Sequence, residues 1–100
     1  MASEPTQFPY QDSTLTIEQR VEDLLSRMTI EDKAGLMFQP MATFGDFDAP
    51  GMLGSPSTRQ ILERRINHIN VRTAPSAREI AQWHNAVQRA ALEQPLGIPF

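Results

Sequence analysis

Cysteine is absent from the 100 residues, so disulfide staples, thiolate metal centres and cysteine nucleophiles are excluded together. Long apolar runs are missing too. The densest, Ala34-Gly35-Leu36-Met37-Phe38, falls far short of the ~18 residues a membrane span needs, so no membrane partner is expected. Glycine is scarce, at five, and Gly45, Gly51 and Gly54 fit neither of the glycine fingerprints that cradle nucleotides; no cofactor is expected. Nor is there an excess of positive charge. Nine Lys and Arg stand against twelve Asp and Glu, a formal net charge of −3, which argues against a dedicated nucleic-acid binder. The first cation is Arg20, and residues 1–16 are mostly polar with Pro5 and Pro9, so no secretory leader is legible and a cytoplasmic location is the expectation.

What is present, 40% hydrophobic and 21% charged residues, suits a soluble chain with one modest core. The charge is divided unevenly. Residues 1–50 carry nine acids against Arg20, Arg27 and Lys33; residues 51–100 carry six arginines against Glu63, Glu79 and Glu93. The two halves are expected to attract each other within one fold.

Residues 1–13 lack periodicity and read as an extended arm that Phe8 and Tyr10 can pin to a neighbour. Thr16-Ile17-Glu18-Gln19 is a capping box, and Ile17, Val21, Leu24, Leu25 and Met28 form an apolar stripe behind it. Thr29 opens a second helix with Glu31 and Asp32 in its first turn; Ile30, Ala34, Met37 and Phe38 are its expected inward face, and its end is expected near Gln39-Pro40. Residues 40–56 read as one long loop. Ser57 and Gln60 start a third helix that Ile61, Leu62, Arg65 and Ile66 continue, His68–Arg72 alternates as a short strand, and Pro75 stands at the first position of a fourth helix through Ile80, Trp83, Val87, Ala90 and Ala91. Leu96–Phe100 reads as the approach to a further buried strand, so the chain is expected to be the front of a longer one, an α/β sheet or barrel cut early.

Few groups suggest chemistry. Asp46-Phe47-Asp48 is the nearest thing to a paired-carboxylate or metal site, yet Pro50 stands where a calcium loop wants Asp or Asn and Ser57 where it wants Glu, so no metal is expected. His68 and His84 are the only histidines, and no serine sits in a nucleophile elbow. Asn70 and Arg72, at the end of the expected parallel strand, are the weak substrate-binding candidates, because barrel active sites form at strand C-termini. Arg59, Arg64 and Arg65 make a local basic patch, the one hint of nucleic acid.

Arg20, Val21, Asp23, Leu24, Leu25, Met28, Thr29 and Lys33 together resemble the helix pair that opens glycoside hydrolase family 3, the β-glucosidase group; Asp32 stands where that family usually has Glu. Ile66–Asn70 is similar to the family's first barrel strand, Ser76–Asn85 to the helix after it, and Leu96–Pro99 to the approach to the next strand. The resemblance covers residues 10–100. It implies an α/β fold: N-terminal helices plus the first strand–helix unit of a (β/α)8 barrel, residues 14–100, truncated before the second strand. It further implies a retaining glycosidase in carbohydrate metabolism that acts on terminal β-linked sugars of a β-glucoside or oligosaccharide, with both catalytic carboxylates downstream of Phe100. No residue of this chain matches a catalytic position, and the hundred residues alone are expected to be inactive. A small helical protein-interaction module, docking a partner through Ile17–Met28 and Ile80–Ala91, remains the alternative; sugar specificity and oligomeric state are not legible.

Overall fold

The computed structural model describes residues 8–71, 73 and 75–100, with Met52 described through its backbone alone. Four helices and two very short strands follow in the order α1 (Ile17–Arg27), α2 (Ile30–Gly35), β1 (Met41–Ala42), α3 (Thr58–Glu63), β2 (Asn70–Val71) and α4 (Ala77–Leu92). β1 and β2 pair in parallel, Met41 opposite Asn70 and Ala42 opposite Val71. Parallel neighbours require a crossover, which here runs through α3. The result is a β1–α3–β2–α4 alternation, an α/β arrangement preceded by two helices.

Local chemistry sets the helix starts. The Thr16 hydroxyl accepts from the Gln19 N–H at 3.2 Å while the Gln19 side chain accepts from the Thr16 N–H at 3.0 Å. Thr29 with Asp32 and Ser57 with Gln60 repeat the reciprocal pair. Each such box satisfies two donors that a helix start would otherwise leave orphaned. Ser76, not Pro75, caps α4, accepting from the Glu79 N–H, so the proline stands one residue ahead of the cap rather than at the first helical position.

The core gathers between α3, α4 and the strand pair: Ala42, Ile61, Ile66, Trp83 and Val87 are buried, with Phe44, Phe47, Ile80 and Phe100 packed around them. Thus the apolar face expected on α4 is the face that is used. The stripe on α1 is not. Of its members Met28 alone is buried, and Ile17, Val21 and Leu25 are exposed.

Three expectations are corrected around α2 and the loop. The helix ends at Gly35 rather than near Gln39-Pro40, because Gly35 lies against the end of α3: a Cβ there would come within 2.6 Å of the Arg64 carbonyl oxygen. Ile30, Ala34, Met37 and Phe38 face outward, and Asp32 and Gly35 are the buried residues of α2. Residues 40–56 are more than a loop, since β1 lies within them and precedes the strand read as the first. The strand expected over His68–Arg72 shrinks to Asn70–Val71 among the described residues. α3 stops at Glu63, and Arg65 adopts φ 62, a left-handed stop usually given to glycine.

Of the extended arm expected over residues 1–13, residues 1–7 lie outside the described residues, and Pro9–Gln11 form a 3-10 turn rather than extended chain, anchored by Tyr10. Tyr10 is buried, its hydroxyl donates to the Leu96 carbonyl, and its N–H donates to Asp23 Oδ2 at 3.1 Å. Burial raises the Tyr10 pKa, against the Arg27 charge.

One buried group is unsatisfied among the described residues: the Thr58 hydroxyl, in a residue 2% exposed, has no hydrogen-bond partner. Replacing a stranded hydroxyl by a methyl of similar shape removes its desolvation cost. Thr58→Val is therefore expected to stabilise the chain by about 0.5–1 kcal/mol in urea unfolding; a loss of stability would mean that the hydroxyl has a partner after all.

Candidate functional site

The carboxyl ends of parallel strands are where α/β folds place their chemistry, and here that edge leads into Thr43–Ala49 after β1 and into Thr73 after β2. Gly45, at φ +112, turns the first of these segments. The turn aims the Gly45 carbonyl at α4, where it accepts from the Trp83 indole N–H at 2.9 Å. Phe44 and Phe47 flank the bond, their ring centroids 5.7 and 6.4 Å from that of Trp83, the latter edge-on. Such tilted and edge-to-face pairs are favourable beyond the area they bury. The segment is fixed at its other end as well. The Arg59 N–H donates to the Phe47 carbonyl at 3.0 Å, and its guanidinium reaches Asp48 at 2.5 Å.

Asp46 and Asp48 therefore have structural partners. Asp46 Oδ1 accepts from the Asp48 N–H at 2.9 Å, closing the turn, and Asp48 belongs to Arg59. Among the described residues no three His, Asp or Glu side chains converge on a common point. Asn70 is exposed on β2, where its N–H donates to the Pro40 carbonyl at 3.0 Å; Arg72 lies outside the described residues. His68 Nδ1 lies 2.7 Å from Asn67 Oδ1 on an exposed stretch, and His84 is exposed on α4.

The basic patch is likewise divided. Arg65 pairs with Asp32 at 3.0 Å, Arg59 with Asp48, and Arg64 is exposed. Both ion pairs join the acidic first half to the basic second half, as the charge division leads one to expect. Asp32 is the most deeply placed of these acids, at 7% exposure. Burial pushes its pKa up, but the Thr29 N–H and hydroxyl together with the Arg65 guanidinium outweigh that, and the net displacement is downward. Asp12 and Asp23 are displaced downward as well, by the Thr14 hydroxyl and by Arg27 respectively. A general acid in glycoside cleavage needs the opposite displacement.

Sequence reasoning missed the Trp83–Gly45 bond. The signals for it were a glycine set between Phe44 and Phe47 and the chain's single tryptophan. It also missed the second role of Asp32, which caps α2 and ties that helix to α3.

A cleft of about 590 Å³ opens between α2 and the end of α3, with Asp32, Ala34, Phe38, Glu63, Arg64 and Ile66 along it. No helix of the described residues is long and apolar enough to cross a membrane.

No family model matches the chain. Curated relatives do. A probable beta-glucosidase C of Aspergillus flavus is 37% identical over 94 residues, 90% of this chain and 15% of the relative. Beta-glucosidase C of Emericella nidulans is 34% identical over 92 residues, 91% of this chain and 15% of the relative. A periplasmic beta-glucosidase/beta-xylosidase of Dickeya chrysanthemi is 34% identical over 97 residues, 92% and 15% respectively. The chain thus spans about 15% of the length of the curated relatives it matches.

Proposed function

Because the chain is homologous over about 90% of its length to proteins named beta-glucosidase, we propose that it is the N-terminal segment of a family 3 glycoside hydrolase that removes terminal β-linked sugars with retention of configuration. The identity of 34–37% to relatives from fungi and a bacterium, sustained across nearly the whole chain, is the observation that carries this reading. The parallel pairing of β1 with β2 through α3, followed by α4, supports the start of a (β/α)8 barrel. In that barrel β1 takes first place and β2 second.

Retention needs two carboxyl groups about 5–5.5 Å apart, one a nucleophile and one alternating between acid and base. In this reading neither comes from the hundred residues. Asp48 is held by Arg59 and Asp32 by Arg65 and Thr29, and the carboxyls displaced in pKa are displaced toward permanent ionisation. The segment's part is architectural. It supplies the first strands and the Phe44–Asp48 turn at the edge where sugar would bind, with Asn70 and Arg72 nearest to that edge in sequence.

The complete polypeptide is expected to hydrolyse an aryl β-glucoside with the β-anomer as first product, and the hundred residues alone to show no specific turnover. Turnover by the isolated segment would overturn the architectural role; an α-anomer as first product from the complete polypeptide would overturn retention.

A further inference from the structure

The stripe on α1 is apolar, exposed and built into a groove. Ile17 is 75% exposed, Val21 48% and Leu25 45%. Beside them a groove of about 320 Å³ runs between α1 and the 97–99 segment, lined by Ile17, Val21, Leu24, Ile98 and Pro99 together with Tyr10 and Arg20. The two flanks of the stripe differ. On the inner flank the cations are committed: Arg20 Nε donates to the Tyr10 carbonyl at 2.8 Å, while Arg27 pairs with Asp23 and covers the Phe8 ring at 4.6 Å. On the outer flank Glu18 and Glu22 are exposed, one turn apart, and neither meets a cation among the described residues.

We propose that this groove seats an amphipathic helix with an apolar face and a Lys- or Arg-bearing flank, contributed by the same polypeptide outside these hundred residues. The source of the helix rests on the glycosidase-segment reading above: relatives of which the chain spans 15% leave most of their length to supply it. The chemistry of the helix does not rest on that reading. An apolar row at i, i+4 and i+8 accepts the apolar row of a second helix, and the unpaired glutamates fix the sign of its flank. A second copy is a poor occupant. Packed antiparallel about a two-fold axis it would set the Glu18–Glu22 flank against itself, and packed parallel it would offer that flank only Arg20 and Arg27, already committed to Tyr10 and Asp23. An anionic membrane surface meets the same repulsion.

Two measurements test it. The isolated chain is titrated with two model helical peptides that share a leucine face, one flanked by lysine and one by glutamate. The lysine peptide is expected to bind at least tenfold tighter, with an advantage that shrinks as salt rises. Glu18→Gln with Glu22→Gln should remove that preference, and Val21→Asn with Leu25→Asn should remove binding of both peptides; these positions are exposed, and unchanged far-UV circular dichroism controls for folding. Equal affinities, or binding of neither peptide, overturn the proposed chemistry. In the complete polypeptide, a photo-crosslinking residue at position 21 is expected to give an adduct within the same chain; an adduct on a second copy or on another protein overturns the proposed source. Failure of the glycosidase reading would show instead as absent β-glucoside turnover, which neither measurement reads.

Discussion

Trp83→Ala is expected to cost about 3–5 kcal/mol, the usual range for deleting a buried aromatic, and with a core this small that is enough to unfold most of the population. Trp83 is 7% exposed, packs with Ala42, Ile61, Ile66 and Val87, and holds the turn after β1 through its bond to Gly45. Alanine would remove both aromatic contacts, with Phe44 and Phe47, and strand the Gly45 carbonyl. Trp83→Phe separates these effects. It keeps most of the apolar bulk and loses the indole donor, so the expected cost falls to about 1–2 kcal/mol. Urea unfolding followed by far-UV circular dichroism measures both variants; a cost below about 1 kcal/mol for alanine would mean that the cluster does not anchor the turn. In the unsubstituted chain this single tryptophan should emit at short wavelength when folded and shift to the red on unfolding.

The second large effect belongs to Asp32. Truncating one partner of a buried ion pair costs about 3–5 kcal/mol, but Arg65 is about a third exposed and keeps water when its partner is lost. Asp32→Ala is accordingly expected to cost about 2–3 kcal/mol, the lost capping box of α2 included. The pH dependence follows from the direction of its pKa. The folded carboxyl titrates below its unfolded value of about 3.9, so its contribution is fully present above roughly pH 4–5 and is lost as pH falls through the folded pKa. Asp12 and Asp23 are displaced the same way, so Asp32→Asn should reduce the acid slope of stability without abolishing it. An unchanged slope between pH 5 and pH 2 in urea titrations at stepped pH would show that the Thr29 bonds and the Arg65 pair together contribute nothing. Arg65 itself shows why the pair matters: a non-glycine residue at φ 62 is held against a local cost of about 1–2 kcal/mol, and its bonds to Asp32 and Gln94 hold it there.

Helix starts were legible because capping is local chemistry: Thr16 with Gln19 and Ser57 with Gln60 announce themselves within four residues. α4 was legible because sixteen residues give the apolar period room to repeat. The short elements were not. Ile30, Ala34, Met37 and Phe38 have helical spacing, but a periodic face says which residues could be buried together, not that anything lies there to bury them. The close approach of Gly35 to the Arg64 and Arg65 carbonyls, a tertiary contact with no local signature, ended α2 early. β1 was invisible because two residues carry no alternation to read. At the candidate site, Asp46 and Asp48 drew notice as acids, whereas the bond that shapes the edge runs from an indole to a main-chain carbonyl, and no pattern of charges marks it.

Beyond α4 the chain turns through Gln94–Gly97 and comes back to Gln88. There the side-chain amide accepts from the Phe100 N–H at 2.7 Å and donates to the Phe100 carbonyl at 2.8 Å. An amide that takes both backbone groups of one residue stands in for a neighbouring strand, and it measures chain length as it does so. The turn between them looks like surface loop, the kind of segment that usually tolerates an added or deleted residue. Here a one-residue change would bring the wrong peptide to Gln88 and rotate the Phe100 ring out of the core, so the turn should tolerate substitution of Pro95, its one exposed residue, far better than any change in its length.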